Sequence, residues 1–294
     1  MKRKLLFVAT EDWFVRSHFM PMVRRAVADG FDTVIAARMG EARADLIAAG
    51  ARVVDFGDAR GAYDPATITR SVGRLRSVID AERPDIVHAI ALRPILLTAL
   101  AVRGKRGVGT VFAVTGRGYL AMTRSWPMQR ALDIIAGLIA RAVRGGTGVL
   151  LVENTHDRDW VAGARPLPEA RVFLTPGAGV DLTHYSASPP PPPAPPVRIG
   201  CVTRLVRSKG VDVLVEAVGH LRASGRDVEA VIAGAPDPDN PSSVSAEELA
   251  RWRALPAIDL PGRVSDVNAF WAGMHIACLP SRGGEGLPRS LLEA

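Results

Sequence analysis

Cysteine is scarce in this sequence, and long apolar runs are missing. Cys201 and Cys278 are the two cysteines of the 294 residues, which excludes a disulfide framework and indicates a reducing compartment. No apolar stretch approaches the roughly 20 residues that a membrane-spanning helix needs. The apolar run 5–9 follows three basic residues, but it is too short for a signal peptide, and Glu11 and Asp12 end it. We therefore expect a cytoplasmic protein without a transmembrane segment.

Sequence patterns for two kinds of bound group are also missing. No Gly-x-Gly-x-x-Gly turn follows the first apolar run of either half, which disfavours a Rossmann-type oxidoreductase. No cluster of histidine and aspartate suggests a metal site. We therefore expect neither a metal nor an organic cofactor.

Positive charge is concentrated in the first part of the chain. Residues 1–186 carry 26 basic and 18 acidic side chains, whereas residues 187–294 carry 11 and 12. Between Arg93 and Arg144, nine basic residues accompany one acid, Asp133. A solvated basic helix face would explain this segment. Of the functional alternatives, we favour an anionic membrane surface over nucleic acid, because no nucleic-acid-binding motif accompanies the charge.

The first 186 residues alternate short apolar runs with helical patterns. The run 5–9 is apolar throughout, as expected for a strand buried on both faces of a parallel sheet. Further strands are predicted at 33–37, 51–56, 85–89, 110–114, 149–152 and 172–174. Helices are predicted at 18–29, 41–49, 65–82, 94–102, 127–144 and 155–162. The repetition predicts an α/β, doubly wound domain, in which ligands bind beyond the carboxyl ends of the strands.

Four polar residues of this half are candidates for contact with a ligand. His18 opens a predicted helix after the first strand, with Ser17 as its N-cap, and His88 lies near the end of the strand 85–89. Thr115 and Arg117 lie in the loop after 110–114, where a cation between two glycines suits an anionic ligand. The structural alternatives are a surface histidine at 18, a buried histidine at 88 and an ordinary turn at 115–118.

A proline run divides the chain. Residues 189–196 contain seven prolines and one alanine, which favours an extended, semi-rigid spacer. We place a first domain at 1–186, a linker at 187–196 and a second domain at 197–294. In the second domain, strands are predicted at 197–202, 229–233, 258–260 and 276–279, and helices at 211–223, 244–254 and 266–273.

Basic residues follow the first strand of this second domain. Arg204, Arg207 and Lys209 lie between the strand 197–202 and the helix 211–223. The end of a central strand next to the start of a helix is a place that favours anions, although an exposed basic loop is the simpler alternative.

The last stretch, 281–293, combines glycines with two carboxylates. Its three glycines allow a tight turn close to a ligand, and Pro288 suits the first position of a helix. Glu285 precedes this helix and Glu293 lies within it. In the structural alternative, Glu293 pairs with Arg289 and Glu285 is solvated.

These motifs resemble the signature of family 4 glycosyltransferases. Glu285 and Glu293 have seven residues between them in the context Glu-Gly-Leu-Pro-Arg-Ser-Leu-Leu-Glu-Ala. The stretch 204–210 is similar to the family's Arg-Leu-x-x-x-Lys-Gly, and 262–264 to its Gly-x-Val turn. More loosely, 84–94 and 115–119 resemble members that build bacterial surface polysaccharides on lipid carriers. The resemblance implies the GT-B architecture, with two Rossmann-like domains facing a cleft.

The resemblance also implies roles for particular residues. Arg204 and Lys209 would hold the donor diphosphate, Glu285 the donor sugar and Glu293 the ribose of the nucleotide. The other implied donor-site residues are Gly262, Val264, Gly283, Gly284, Gly286 and Leu287. The implied acceptor-side residues are His18, His88, Thr115 and Arg117. Two departures concern the acceptor: Trp13 and Phe14 replace a glycine-rich first loop, and Thr115 or a neighbour stands where many members have histidine.

We therefore expect a retaining, metal-independent glycosyltransferase that uses a nucleotide sugar, in particular a UDP-sugar. Its acceptor would be a glycan or a lipid-linked sugar in bacterial polysaccharide synthesis, at the inner face of the cytoplasmic membrane, and nucleic acid is not expected as a partner. The alternatives are a non-catalytic nucleotide-sugar-binding protein and an inactive truncated transferase. Family members continue past the second glutamate with further βα units, so we expect an incomplete second domain.

Overall fold

The computed structural model describes residues 2–57, 64–117, 126–175, 177–182, 184–185, 189, 191–192, 195–238, 240, 242–283 and 286–294. The chain forms two compact units, Met1–Ala178 and Gly179–Ala294. The first unit thus ends before the boundary that the sequence places at residue 186. Residues 179–185 belong with the second unit, in which Tyr185 bonds to Glu293.

The first unit is built on a seven-stranded parallel sheet in the order β3-β2-β1-β4-β5-β6-β7. Its strands are β1 (Lys4–Glu11), β2 (Asp32–Arg38), β3 (Arg52–Asp55), β4 (Ile86–Ile90), β5 (Gly109–Val114), β6 (Gly148–Val152) and β7 (Val172–Leu174). This order reverses direction at β1 and β4, as in a doubly wound fold. All seven predicted strands are therefore confirmed.

Helices cover both faces of this sheet. They are α1 (Asp12–Phe14), α2 (Met20–Ala28), α3 (Arg43–Ala48), α4 (Pro65–Glu82), α5 (Leu92–Ala101), α6 (Trp126–Arg144) and α7 (Thr155–Ala162). Successive side chains of β1 point to opposite faces, so Phe7 packs with α2 and α3 while Leu6 packs with α4 and α5. Both side chains are fully buried, as the apolar run 5–9 predicts.

The segment after β1 differs from the prediction. The strand continues to Glu11, α1 follows at once, and Val15–Phe19 form a π-helix that leads into α2. Ser17 therefore lies inside a helical segment and is not an N-cap. Glu11 is the last residue of the strand and Asp12 is the first of α1, and both acids are buried with partners: Arg38 donates two hydrogen bonds to Glu11, and Gly40 N–H donates to Asp12 at 2.6 Å.

The second unit is a four-stranded parallel sheet in the order β10-β9-β8-β11. Its strands are β8 (Val197–Val202), β9 (Val228–Ala233), β10 (Ile258–Gly262) and β11 (Ile276–Ala277), and its helices are α8 (Val211–Ala223), α9 (Ala246–Arg253), α10 (Val267–Ala272) and α11 (Arg289–Glu293). The α/β fold predicted for this half is confirmed. The last helix begins one residue later than predicted, because Pro288 keeps an extended backbone.

Within the parts of the chain that the structure describes, no helix has both the length and the apolar character needed to cross a bilayer.

Candidate active site

The carboxyl edge of the second sheet collects the loops that the sequence singles out. Because all four strands are parallel, the loops after β8, β10 and β11 leave from one edge. The loop after β8 carries Arg204 and Lys209, Gly262 ends β10 with Val264 just beyond it, and the loop after β11 carries residues 281–283. Gly262 has a φ of +82°, a left-handed conformation that favours glycine, and its carbonyl accepts a 2.7 Å hydrogen bond from Gly234 N–H.

The loops after β8 and β11 touch each other directly. Gly210 has a φ of +66°, and a Cβ atom there would lie 2.0 Å from the Pro280 carbonyl oxygen. Arg282 N–H donates to the Ser208 carbonyl at 2.8 Å, and the Ser281 hydroxyl donates to the same oxygen at 3.2 Å. Only glycine at 210 permits this approach, which brings the backbone around Lys209 against the segment leading to Gly283.

A two-pronged ion pair reinforces this contact. The Arg282 guanidinium donates to both carboxylate oxygens of Asp212 at 2.7 Å and to the Arg207 carbonyl at 2.8 Å. Hydrogen bonds from Arg282 hold the pKa of Asp212 below its ordinary value. Asp212 and Arg282 are functional candidates that the sequence motifs did not indicate.

Two of the three predicted cations are held by carboxylates. Arg204 Nη1 donates to Asp237 at 2.6 Å, and the Asp237 side chain is 9% exposed. Arg207 pairs with Glu248 at 2.7 Å. Arg204 nevertheless has 45% of its side chain exposed, so it is positioned by Asp237 and still accessible to an anion. Arg207 is held by Glu248 of α9, and its Nη1 also lies 3.9 Å from Asp212.

Glu293 is fixed at the end of the chain by two partners. Its Oε1 accepts a hydrogen bond from the Tyr185 hydroxyl at 3.2 Å and lies 2.6 Å from Arg289 Nε. The pair with Arg289 is the structural alternative stated above, and Tyr185 is an addition that the sequence did not indicate. Glu293 also lines a cavity of about 210 Å³ with Trp271 and His275.

The remaining donor-site candidates differ in exposure. Val264 and Gly286 are half-buried, Leu287 is exposed, and Gly283 has a φ of +122°. Gly284 and Glu285 lie outside the described residues. The role of Glu285 thus stays a prediction.

In the first unit, a cavity of about 310 Å³ lies at the carboxyl ends of β5, β6 and β7. Two of the acceptor-side candidates line it, His18 from the π-helix and Thr115 after β5. The His18 Nδ1 lies 2.6 Å from the Ser17 hydroxyl oxygen. Glu153, which follows β6, lines the same cavity and was not singled out by the sequence.

The other two acceptor-side candidates are placed differently. His88 is 6% exposed between Phe7 and Phe19, with ring centroids at 5.1 and 6.2 Å, and burial lowers its pKa to about 4. His88 is therefore the buried histidine of the structural alternative, because β4 is covered on both faces and continues to Ile90. Arg117 is not a free cation either: its Nε donates to buried Asp157 at 2.9 Å.

No group of three or more His, Cys, Asp or Glu side chains able to hold a metal occurs in the described part of the chain. The sequence contains two Asp-x-Asp triplets, 157–159 and 237–239. Their first aspartates are bonded to Arg117 and Arg204, respectively. Metal independence stays a prediction.

Comparisons with known proteins concern the family and the fold. Residues 4–145 match the family "Glycosyl transferase 4-like", and residues 196–294 match "Glycosyl transferases group 1". No curated protein matches significantly.

Three solved structures illustrate the fold. The complex of Anabaena HepE with UDP-glucose is 15% identical with a TM-score of 0.71, covering 99% of this chain and 77% of its own. Sucrose-phosphate synthase from Thermosynechococcus elongatus is 13% identical with a TM-score of 0.70, and the match covers 97% of this chain and 77% of that protein. The lipopolysaccharide outer core galactosyltransferase WaaB is 13% identical with a TM-score of 0.62, and the match covers 99% of this chain and 77% of that protein. Both halves of the chain thus match glycosyltransferase families, and we identify the chain as a glycosyltransferase of the GT-B fold.

Proposed function

We propose that this glycosyltransferase transfers a sugar from a nucleotide-diphosphate donor, in particular a UDP-sugar, to an acceptor hydroxyl with retention and without a metal. The observation that carries the proposal is the convergence of the β8 and β11 loops at one edge of the second sheet, where Gly210 meets Pro280. HepE, a structural neighbour, has been solved with UDP-glucose.

The second unit supplies the donor site. Arg204 and Lys209 stabilise the diphosphate as negative charge develops on it, and the Asp237 contact keeps Arg204 in position. Glu293, held by Tyr185 and Arg289, accepts hydrogen bonds from the ribose. Glu285 orients the donor sugar and supports positive charge at its anomeric carbon.

Transfer then needs no covalent intermediate with the protein. The acceptor oxygen forms a bond to the anomeric carbon on the face from which the diphosphate departs, so the configuration is kept. The bond between that carbon and the diphosphate oxygen breaks, and the departing diphosphate takes the proton of the acceptor hydroxyl. Preorganised cations serve this reaction because the charge that they stabilise grows in the transition state.

The first unit supplies the acceptor side. We place the acceptor near the cavity lined by His18 and Thr115. A glycan on a lipid carrier fits the exposed surface of α6, where Trp126 and Ile134 are 73% and 57% exposed beside the basic residues Arg130 and Arg141. Such a surface suits the interface of an anionic membrane, which we propose is the inner face of the bacterial cytoplasmic membrane.

A donor panel tests the proposal. Binding of UDP, GDP and ADP is measured by calorimetry, and turnover of the corresponding sugar nucleotides is followed with lipid-linked and soluble glycan acceptors, with and without EDTA. We expect one of the three diphosphates to bind. The corresponding sugar nucleotide should support transfer in the presence of EDTA, and the new linkage should have the same anomeric configuration as the donor. Binding without transfer would favour a non-catalytic binding protein, and an inverted linkage would contradict retention.

A further inference from the structure

Arg282 stands out because its hydrogen bonds to the described residues lead to one neighbouring segment. Its guanidinium bonds to Asp212 and to the Arg207 carbonyl, and its backbone N–H bonds to the Ser208 carbonyl at 2.8 Å. This segment, 207–212, contains Lys209. The residues in contact are separated by some 70 positions in sequence, so the contact joins two loops that local structure does not connect.

The guanidinium of Arg282 is already occupied. Both prongs of its fork face the two oxygens of Asp212 at 2.7 Å, an arrangement that is geometrically specific as well as attractive. A phosphate could take this two-pronged position on the guanidinium only by displacing Asp212. The geometry therefore suits an arginine that connects two loops of the chain.

We propose that Arg282 is a positioning residue for the donor diphosphate: through Asp212 and the 207–208 backbone, it holds the 280–283 segment and the loop of Lys209 as one unit. The inference rests on the proposed function, which assigns both loops to the donor. Loops that are fixed before the ligand arrives lose less conformational entropy on binding. The contact between Arg282 and the segment 207–212, which we call the clamp, therefore strengthens affinity without touching the nucleotide.

A double-mutant cycle tests this proposal. The variants are Arg282→Ala, Asp212→Ala and the double variant, and the probe is whichever of UDP, GDP and ADP binds the wild-type chain most tightly, with its nucleoside for comparison. We expect each single variant to bind the diphosphate about 10-fold more weakly, about 1.4 kcal/mol. The double variant should lose about as much as Arg282→Ala alone, because Arg282→Ala already removes the contact with Asp212 together with the bond to the Arg207 carbonyl. Nucleoside affinity should stay unchanged.

A matched control lies at the other end of the same sheet. Arg198 on β8 donates to Glu229 on β9 at 2.7 Å, so Arg198→Ala removes a comparable pair away from the site. It should leave diphosphate affinity unchanged even where it lowers the melting temperature. Should Arg282→Ala fail to fold, Arg282→Gln, which keeps most of the side-chain length, replaces it.

The outcomes separate the two proposals. If the wild-type chain binds none of the three diphosphates, the proposed function fails and the inference fails with it. If the wild-type chain binds but Arg282→Ala and Asp212→Ala bind equally well, the clamp alone is overturned. Weaker binding by Arg282→Ala with unchanged or tighter binding by Asp212→Ala would mean that Arg282 acts without Asp212, on the phosphates or on the Arg207 carbonyl, which overturns the clamp through Asp212.

Discussion

The Tyr185 hydroxyl donates a hydrogen bond to Oε1 of Glu293 at 3.2 Å, although 108 positions separate the two residues. Burial, reinforced by the nearby carboxylate, raises the pKa of Tyr185, so its hydroxyl stays protonated and can donate. The bond leaves the second oxygen of Glu293 for other partners. It therefore links the segment just before the proline run to the glutamate that we assign to the ribose.

We expect Tyr185→Phe to weaken nucleotide binding by about 3- to 10-fold, because removing one hydrogen bond of this kind costs about 1 kcal/mol. Calorimetry with the bound diphosphate measures the change. Ser224→Ala is the control, since it removes an exposed hydroxyl of the same unit that bonds to the Leu221 carbonyl. Unchanged affinity in Tyr185→Phe would show that this tyrosine does not contribute to the donor site.

Arg204→Ala and Lys209→Ala should each weaken donor binding and lower turnover. A charge-assisted contact contributes about 1.5–3 kcal/mol, which corresponds to about 10- to 150-fold. Arg226→Ala, at an exposed position before β9, controls for the loss of one positive charge. Normal binding and turnover in both site variants would show that the diphosphate lies elsewhere.

Gly210→Ala should disrupt the second unit and its ligand binding together. The new Cβ would lie 2.0 Å from the Pro280 oxygen, and the φ of +66° disfavours alanine as well. We expect a loss of more than about 1 kcal/mol in stability. Gly219→Ala, inside α8 with nothing within 4 Å, should be neutral or stabilising. The melting temperatures of the two variants decide the matter, and equal values would refute the close approach.

The buried His88 should make the first unit sensitive to acid. Its pKa is lowered to about 4 by burial, so between pH 6.5 and 4 the unfolded chain binds a proton that the folded chain does not. The stability that depends on a neutral His88 is therefore present above about pH 6.5 and is lost as the pH drops. We expect a loss of about 2 kcal/mol from this residue between pH 7 and pH 5.

Urea titrations at both pH values measure this loss. His88→Leu should lose less stability than the wild-type chain over this range, whereas His220→Gln, at an exposed histidine, should behave like wild type. An identical pH dependence in His88→Leu and wild type would contradict the burial of a neutral His88.

The exposed face of α6 should bind anionic vesicles. We expect co-sedimentation with phosphatidylglycerol vesicles, less with neutral vesicles, and a decline as salt screens the attraction. Trp126→Ala should weaken binding about 3-fold or more, because the ring is 73% exposed and interfacial aromatics anchor such helices. Phe173→Ala is the control, an exposed aromatic residue on β7. Equal binding to both kinds of vesicle, or none, would rule out this membrane surface.

The sequence by itself determined the elements and their order. The helices at 65–82, 155–162 and 211–223 and the strands at 172–174 and 197–202 lie where the apolar pattern predicts them. Local chemistry explains this agreement: Asp64 and Asn154 cap their helices through side-chain bonds to the backbone three residues on. The parallel direction of the strands also follows from the repeated βα pattern, and it places the candidate donor residues at one edge of the sheet.

Only the tertiary structure decided which charges meet. Arg204, Arg207 and Arg282 read alike in sequence, yet Asp237 holds the first, Glu248 the second and Asp212 the third. Likewise, the pattern places His88 on β4 but does not say that Phe7 and Phe19 enclose it. Periodicity fixes the direction in which a side chain leaves its own strand or helix. Its partners come from loops and neighbouring strands tens of residues away, and their approach depends on how the whole unit packs.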